Sequence, residues 1–276
     1  MATLVGCFAA SHGPLIARDW ATMPEARRAQ FRQRFGEMGR RFTAARPDVL
    51  IEIAPDHWSN FFLDNLPSLC IGVGETHDGP PEPFLKDFPL KQIPGHPGFA
   101  MHLLTTALAE DFEPSFSHHL RLDHGFCIPL LRMELPRIPA IVPITVNDLE
   151  PPMMSIRRCL AWGRLLRRSI ETYPEPLRIA VLASGGLSHS IGEPTMGAID
   201  EPFDHECLRL FTAGDDRALT DYLERALPVT GNGAHEVRNW VIAHAAAGSR
   251  GFELIAYEPV PEVYVGCGYA SWKVAA

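Results

Sequence analysis

Short β-rich runs alternate with helical patterns along most of this chain, and this alternation constrains the fold more than any other feature. One helical pattern follows a capping-box spacing at Thr22 and Glu25 and continues to Pro47. Alternation of this kind predicts an α/β fold, with a central, mainly parallel or mixed β-sheet flanked by helices. The predicted strands are residues 4–10, 49–54, 68–73, 140–146, 179–183 and 252–257.

The composition is that of an ordinary globular chain. Hydrophobic residues make up 46% and charged residues 21% of the 276 residues, which excludes a disordered chain. The sequence contains no internal repeat, low-complexity tract or linker. We therefore expect a single domain that spans residues 1–276.

Charge and apolar patterning limit the partners. The net charge of −8 argues against nucleic-acid binding, which needs a basic surface, and makes a small molecule the expected partner. No apolar run approaches the ~20 residues that a membrane helix requires. The N-terminal residues lack the basic region and small-residue cleavage site of a signal peptide. These features predict a cytoplasmic protein that binds neither nucleic acid nor membrane.

Three of the twelve histidines directly follow predicted strands: His12, His57 and His189. In an open α/β sheet, ligands bind in the crevice at the carboxyl ends of the strands. A lone loop histidine is structural or merely exposed in most proteins. Three histidines at equivalent topological points can converge, and convergence is what a metal site requires.

A carboxylate candidate is Glu236, which follows the Gly-rich residues 231–235 and opens an apolar helix. Near a helix start, this carboxylate can simply complement the helix dipole. Two histidines and one carboxylate are also the ligand set of non-haem Fe(II) oxygenases, which leaves one face of the metal open. The same donors with an open position suit catalytic zinc, so the residue types alone leave hydrolysis at zinc as an alternative.

Several short blocks carry a resemblance to a known family. They are Ser11-His12, Asp56-His57, Gly95-His96-Pro97, Asp123-His124-Gly125, Val146-Asn147, Gly185-Gly186-Leu187-Ser188-His189, and Glu236 followed by Trp240. In this order, and over nearly the whole chain, they resemble the class III extradiol dioxygenases, specifically the catalytic β-subunit type of protocatechuate 4,5-dioxygenase.

The resemblance implies that the protein opens a dihydroxylated aromatic ring with O₂ at a non-haem Fe(II). It implies that His12, His57 and Glu236 are the iron ligands. It also implies that His189 is the catalytic base and that His124 is a second active-site histidine, which donates a proton. A neutral histidine suits the base, since a catechol hydroxyl is too weak an acid to ionise fully at neutral pH.

Departures from the family pattern affect partners and substrate. Family members pair with a small helical α subunit that covers the active site, and no segment here resembles it, so we expect a separate α subunit or a homo-oligomer. Residues 260–264 lack the family's small polar residues near the substrate carboxylate, and Glu262 would repel a carboxylate if it faced the pocket. The expected substrate is a catechol-, protocatechuate- or gallate-like ring. An aminophenol, a dihydroxypyridine, or a redox-inactive binding protein on the same scaffold are the alternatives.

Overall fold

A mixed eight-stranded sheet forms the centre of the computed structural model, which describes residues 1–274; residues 275–276 of the predicted domain lie outside the described residues. The strands are β1 (Thr3–Ala10), β2 (Val49–Pro55), β3 (Leu69–Gly72), β4 (Thr76–Asp78), β5 (Gln92–Pro94), β6 (Ser115–Ser117), β7 (Ala140–Val146), β8 (Arg178–Ser184), β9 (Phe252–Val260) and β10 (Val265–Trp272). Their order in the sheet is β6-β3-β7-β2-β8-β1-β10-β9, and β4 and β5 form a separate antiparallel pair. The predicted fold class is confirmed.

The four middle strands place the site. Strands β7, β2, β8 and β1 are parallel neighbours, so their carboxyl ends meet at one edge of the sheet. Every residue of β2 is buried, as expected for a parallel strand that is covered on both faces. The chain segments that carry His12 and His57 leave the sheet at this edge, directly after β1 and β2.

The antiparallel side of the sheet was only partly predicted. The predicted strand 252–257 extends to Val260 as β9, and its partner β10 was not predicted. Gly266 and Gly268 lie within β10, and glycine has a low β-propensity, so the sequence pattern did not indicate a strand here. Strand β10 pairs with β1, so it lies beside the strand that leads into His12.

Helices cover both faces of the sheet. They are α1 (Leu15–Arg18), α2 (Glu25–Ala45), α3 (Pro97–Ala109), α4 (His124–Arg132), α5 (Ile156–Thr172), α6 (Glu201–Ala213), α7 (Asp216–Ala226) and α8 (Val237–Ala246). Helices α3, α5, α6, α7 and α8 contribute to one apolar cluster, and α1, α2 and α4 contribute to the other. Within residues 1–274, none of the helices combines the length and apolar character of a membrane span.

The predicted capping box at the start of α2 is wrong. Helix α2 begins at Glu25 with Pro24 as its N-cap residue, and no side chain caps it. The Thr22 hydroxyl instead donates a hydrogen bond to the Asp19 carbonyl, because the chain turns there before the helix begins. The helix itself was predicted correctly from its apolar spacing and ends at Ala45, before Pro47.

Candidate metal centre

A cavity of about 640 Å³ opens at the carboxyl ends of the middle strands. All five residues that the sequence singled out contribute to its walls: His12, His57, His124, His189 and Glu236. They come from five separate segments of the chain, and the parallel strand order brings them to one place. The structure therefore brings together the side chains that a metal site requires, which the sequence alone could only suggest.

Glu236 lies at the centre of this group. It ends a short 3₁₀ turn, Asn232–Glu236, immediately before α8, and only 2% of it is exposed. Its Oε1 lies 3.5 Å from His12 Nε2 and 3.6 Å from His57 Nε2. Ligand atoms at about 2.1 Å from one metal ion lie about 3 Å or slightly more apart, so these distances suit a shared ion.

The outer nitrogens of His12 and His57 are already committed. His12 Nδ1 lies 2.9 Å from Ser184 Oγ, whose hydroxyl donates to the Gly125 carbonyl, so His12 Nδ1–H is the donor to Ser184. His57 Nδ1 lies 3.3 Å from the Asp123 carboxylate, which can only accept. In each ring the Nδ1 side is taken up by this contact, so Nε2 is the nitrogen that faces the cavity and can bind a metal ion.

His189 approaches the same carboxylate from a third direction. Its Nε2 lies 3.7 Å from Glu236 Oε1, and its Nδ1–H donates to the Leu187 carbonyl at 3.0 Å. A neutral carbonyl partner leaves Nε2 free to accept a proton. Gly233 packs against this ring so closely that an added Cβ would lie 2.0 Å from Nε2, and the position of the imidazole therefore depends on glycine there.

Backbone groups hold Glu236 in place. The Gly186 N–H donates to Glu236 Oε2 at 2.6 Å, and an added Cβ at Gly185 would lie 2.6 Å from the same oxygen. The first turn of α8 binds this glycine segment in return, because Trp240 Nε1 donates to the Gly185 carbonyl at 2.9 Å. The side chain of Glu236 turns toward the cavity and faces His12 and His57, which favours a ligand role over the helix-dipole role that the sequence left open.

His124 stands beside the two histidines but has a different partner. Its ring centroid lies 3.9 Å from that of His57. One ligand atom each from His12, His57 and His124 lies within 4.8 Å of the others, so distance alone also permits a three-histidine metal site. The Nδ1 of His124, however, lies 2.7 Å from Glu82 Oε1, a contact that the sequence did not indicate.

The buried charges shift the pKa values of these groups in opposite directions. Burial lowers the pKa of His12 to about 4, although Glu236 acts to raise it. Burial also opposes protonation of His57, but the Asp123 and Glu236 carboxylates outweigh it and raise the pKa of His57 to about 10. Burial alone would raise the pKa of Glu236, yet His12 and His189 hold it well below its usual range. The result is an ionised carboxylate facing at least one neutral imidazole, a donor set that fits a divalent cation.

Two groups at the edge of the site change the expectations about substrate charge. Glu262 does not line the cavity, because its carboxylate pairs with Arg27 at 3.2 Å, so the repulsion that the sequence suggested is absent. Arg18 is the one Lys or Arg among the lining residues of the described chain, and Asp19 pairs with it at 2.7 Å. The sequence indicated neither the pairing of Glu262 with Arg27 nor the position of Arg18 at the cavity.

Known proteins that resemble this chain are aromatic ring-opening dioxygenases. A family model described as the catalytic LigB subunit of aromatic ring-opening dioxygenase matches residues 6–268. A 2,3-dihydroxyphenylpropionate/2,3-dihydroxicinnamic acid 1,2-dioxygenase from Paraburkholderia xenovorans is 31% identical over 284 residues, covering 82% of this chain and 87% of its own. A gallate dioxygenase from Pseudomonas putida is 33% identical over 156 residues, which cover 55% of this chain and 46% of the relative.

Among solved structures, the crystal structure of an uncharacterized protein from Escherichia coli K12 is similar to this chain. The TM-score is 0.62, and the match covers 97% of this chain and 99% of the other. Sequence identity is 14%, so this likeness shows the fold alone.

Proposed function

The chain belongs to the family of the catalytic LigB subunit of aromatic ring-opening dioxygenase and is an extradiol ring-cleaving enzyme, and we propose that it works with one Fe(II) held by His12, His57 and Glu236. One observation carries the proposal. The Nε2 atoms of His12 and His57 face Glu236 Oε1 at 3.5 and 3.6 Å in a cavity large enough for a single aromatic ring. Two imidazoles and one carboxylate form the facial set that leaves coordination positions open. The same proposal takes residues 1–276 as one catalytic domain.

Glu236 is a better third ligand than His124. A carboxylate partly neutralises a divalent cation, whereas a third neutral imidazole leaves the full charge in a buried site. Glu236 is also held by a backbone N–H on its other oxygen, which orients Oε1 toward the two imidazoles. His124 directs Nδ1 to Glu82, an arrangement that a metal ligand and a proton-transferring histidine share, so the choice rests on the charge and the fixed position of Glu236.

The residues of this chain supply proton transfer and orientation. Fe(II) at this position would bring two adjacent ring oxygens and O₂ together and carry electrons from the ring to O₂. His189 accepts the proton of a ring hydroxyl at Nε2, because the Leu187 carbonyl holds the ring in the Nδ1–H tautomer. His124 is the second proton-transferring residue of the site, and Glu82 holds its Nδ1 side. Val263 and Val265 add apolar wall, which limits the access of water.

The substrate is an aromatic ring with two neighbouring donors, because a chelate needs two adjacent oxygens or an oxygen beside a nitrogen. The relatives are named for 2,3-dihydroxyphenylpropionate and for gallate, which are both aromatic acids. Because Glu262 is turned away from the cavity and these relatives act on aromatic acids, a carboxylated diol is our leading candidate. An aminophenol or a dihydroxypyridine is the second candidate. A separate α subunit or a homo-oligomer remains our expectation for the assembly.

Oxygen consumption by iron-loaded protein tests this proposal. The panel comprises protocatechuate, gallate, 2,3-dihydroxyphenylpropionate, catechol, 2-aminophenol and a dihydroxypyridine, with kcat/KM measured for each. We expect O₂ uptake with at least one adjacent diol and the highest kcat/KM for a carboxylated ring. A preference for uncharged rings would contradict the carboxylate assignment alone. No uptake with any of the six would contradict the proposed function.

Replacing Gly233 with alanine should impair turnover without removing iron. The new Cβ would meet the His189 ring at 2.0 Å and force the imidazole away from the substrate hydroxyl. Displacement of a catalytic group by about 1 Å can lower the rate by about 10². The measurement is kcat together with iron content. Gly36→Ala in α2 is the matched control, since the nearest atom there, Arg40 Nη1, lies 3.7 Å away. Wild-type kcat in the Gly233 variant would refute the positioning role.

A further inference from the structure

We propose that Glu82 is a positioning residue that acts through His124, fixing the tautomer and the orientation in which this histidine serves the reaction. The inference rests on the proposed function, because it concerns a histidine of the same site. Glu82 lies in a proline-rich segment that links β4 to the short 3₁₀ helix Pro83–Leu85, far from the blocks that define the family resemblance. No sequence pattern connects it to His124, which lies 42 positions later.

One carboxylate oxygen of Glu82 binds His124 twice. Oε1 accepts from the His124 backbone N–H at 2.9 Å and lies 2.7 Å from His124 Nδ1. An ionised carboxylate can only accept, so Nδ1 carries the hydrogen. An imidazole directs its two nitrogens to opposite sides of the ring, and Nε2 is therefore the nitrogen left for the cavity. A single contact would fix the tautomer, and the second also fixes the position of the carboxylate relative to the start of α4.

The surroundings of Glu82 restrict it to this role. Its side chain is 18% exposed, and the other oxygen, Oε2, is buried without a hydrogen-bond partner among the described residues. Phe84, two residues later, lies against the His124 ring with a centroid distance of 6.4 Å. Glu82 and Phe84 of this segment therefore lie beside the His124 ring, which also neighbours His57. Burying a carboxylate oxygen without a hydrogen-bond partner costs free energy. The two contacts of Oε1 with His124 offset this cost.

The four imidazoles of the site have four different outer partners. Those partners are Ser184 for His12, Asp123 for His57, the Leu187 carbonyl for His189 and Glu82 for His124. Without Glu82, the His124 ring can rotate about its side-chain bonds or move away from the cavity. Either change leaves only a fraction of molecules with the productive nitrogen in the productive position. Partners of this kind typically contribute about 10- to 100-fold to activity.

A double-mutant comparison in the full-length, iron-loaded enzyme tests this proposal. The variants are Glu82→Ala, Glu82→Gln, His124→Ala and the Glu82→Ala/His124→Ala pair, with Glu75→Ala as a control at an exposed acid of the neighbouring segment. For each variant we would measure kcat, KM, iron content and Tm, using the best substrate of the panel. Glu82→Ala should lower kcat about 10- to 100-fold, with KM and iron content unchanged. Glu82→Gln should retain most of the activity, because its amide oxygen still accepts from Nδ1–H.

The decisive readout is the effect of Glu82→Ala when His124 is absent. If Glu82 acts through His124, its removal from the His124→Ala background should change kcat by less than about twofold. A full 10- to 100-fold loss in that background would overturn the proposal, and so would wild-type activity in the single Glu82→Ala variant. Loss of iron from Glu82→Ala would overturn it as well. Failure of the proposed function would appear separately, as absence of turnover in the wild-type protein.

Discussion

Replacing Glu236 with alanine is expected to remove bound iron and to abolish turnover while the protein stays folded. Glu236 supplies the carboxylate oxygen that faces both His12 and His57, at 3.5 and 3.6 Å, so its loss leaves two histidines and no anionic ligand. The variant also loses the hydrogen bond from the Gly186 N–H. A hydrogen bond to a charged group is worth about 1.5–3 kcal/mol, which lowers Tm by roughly 3–12 °C.

The His124→Ala variant separates the two possible sets of iron ligands. If the site were made of His12, His57 and His124, which distance alone permits, His124→Ala would lose iron and Glu236→Ala would keep it. We expect the reverse order of iron contents, measured after anaerobic loading and desalting. His57→Ala should behave as Glu236→Ala does. Full iron occupancy and turnover in Glu236→Ala would refute the ligand assignment.

Replacing His189 with phenylalanine should leave iron bound and remove most of the turnover. Phenylalanine keeps a ring against Gly233 but cannot accept a proton, so the change removes the base and little of the packing. Loss of a general base costs on the order of 10²–10⁴-fold in rate. The loss should appear in kcat measured at saturating substrate, with iron content equal to that of the wild type.

The pH dependence of the wild type gives a second test of the same residue. Burial would lower the pKa of His189, but Glu236 and the Leu187 carbonyl outweigh it and raise this pKa. The imidazole must be neutral to accept a proton, so kcat/KM should fall as pH drops through this pKa and protonates the ring. In His189→Phe, the acidic limb of the profile should disappear from the residual activity. Iron loss from the variant, or an unchanged acidic limb, would instead indicate that His189 is not the base.

The parts of this molecule that could be read from the sequence are those set by periodicity and by strand ends. Buried parallel strands such as β2 are continuous apolar runs, and the residue that follows each run must lie at one edge of the sheet. That rule was enough to bring His12 and His57 together. The choice of Glu236 and the role of His189 needed the family resemblance, because residue type and spacing alone left helix-dipole and zinc interpretations open.

What the sequence did not indicate depends on contacts between distant segments. Ser184 orients His12, and Glu82 orients His124, yet neither lies in a pattern that distinguishes it from other serines and acids. The tight contact of Gly233 with the His189 ring is likewise visible only in three dimensions. The sequence suggested that Glu262 could repel a substrate carboxylate, but its carboxylate pairs with Arg27 on α2.

Titration of metal-stripped protein with Fe(II) tests the central claim most directly. Protein freed of metal by a chelator under anaerobic conditions would receive increasing Fe(II), and ring-opened product would then be measured after addition of substrate and O₂. Activity should rise linearly and reach a plateau at one Fe(II) per chain, and the same titration with Zn(II) should give no product. Activity in the stripped protein, a plateau unrelated to bound iron, or full activity with Zn(II) would contradict an iron centre built from His12, His57 and Glu236.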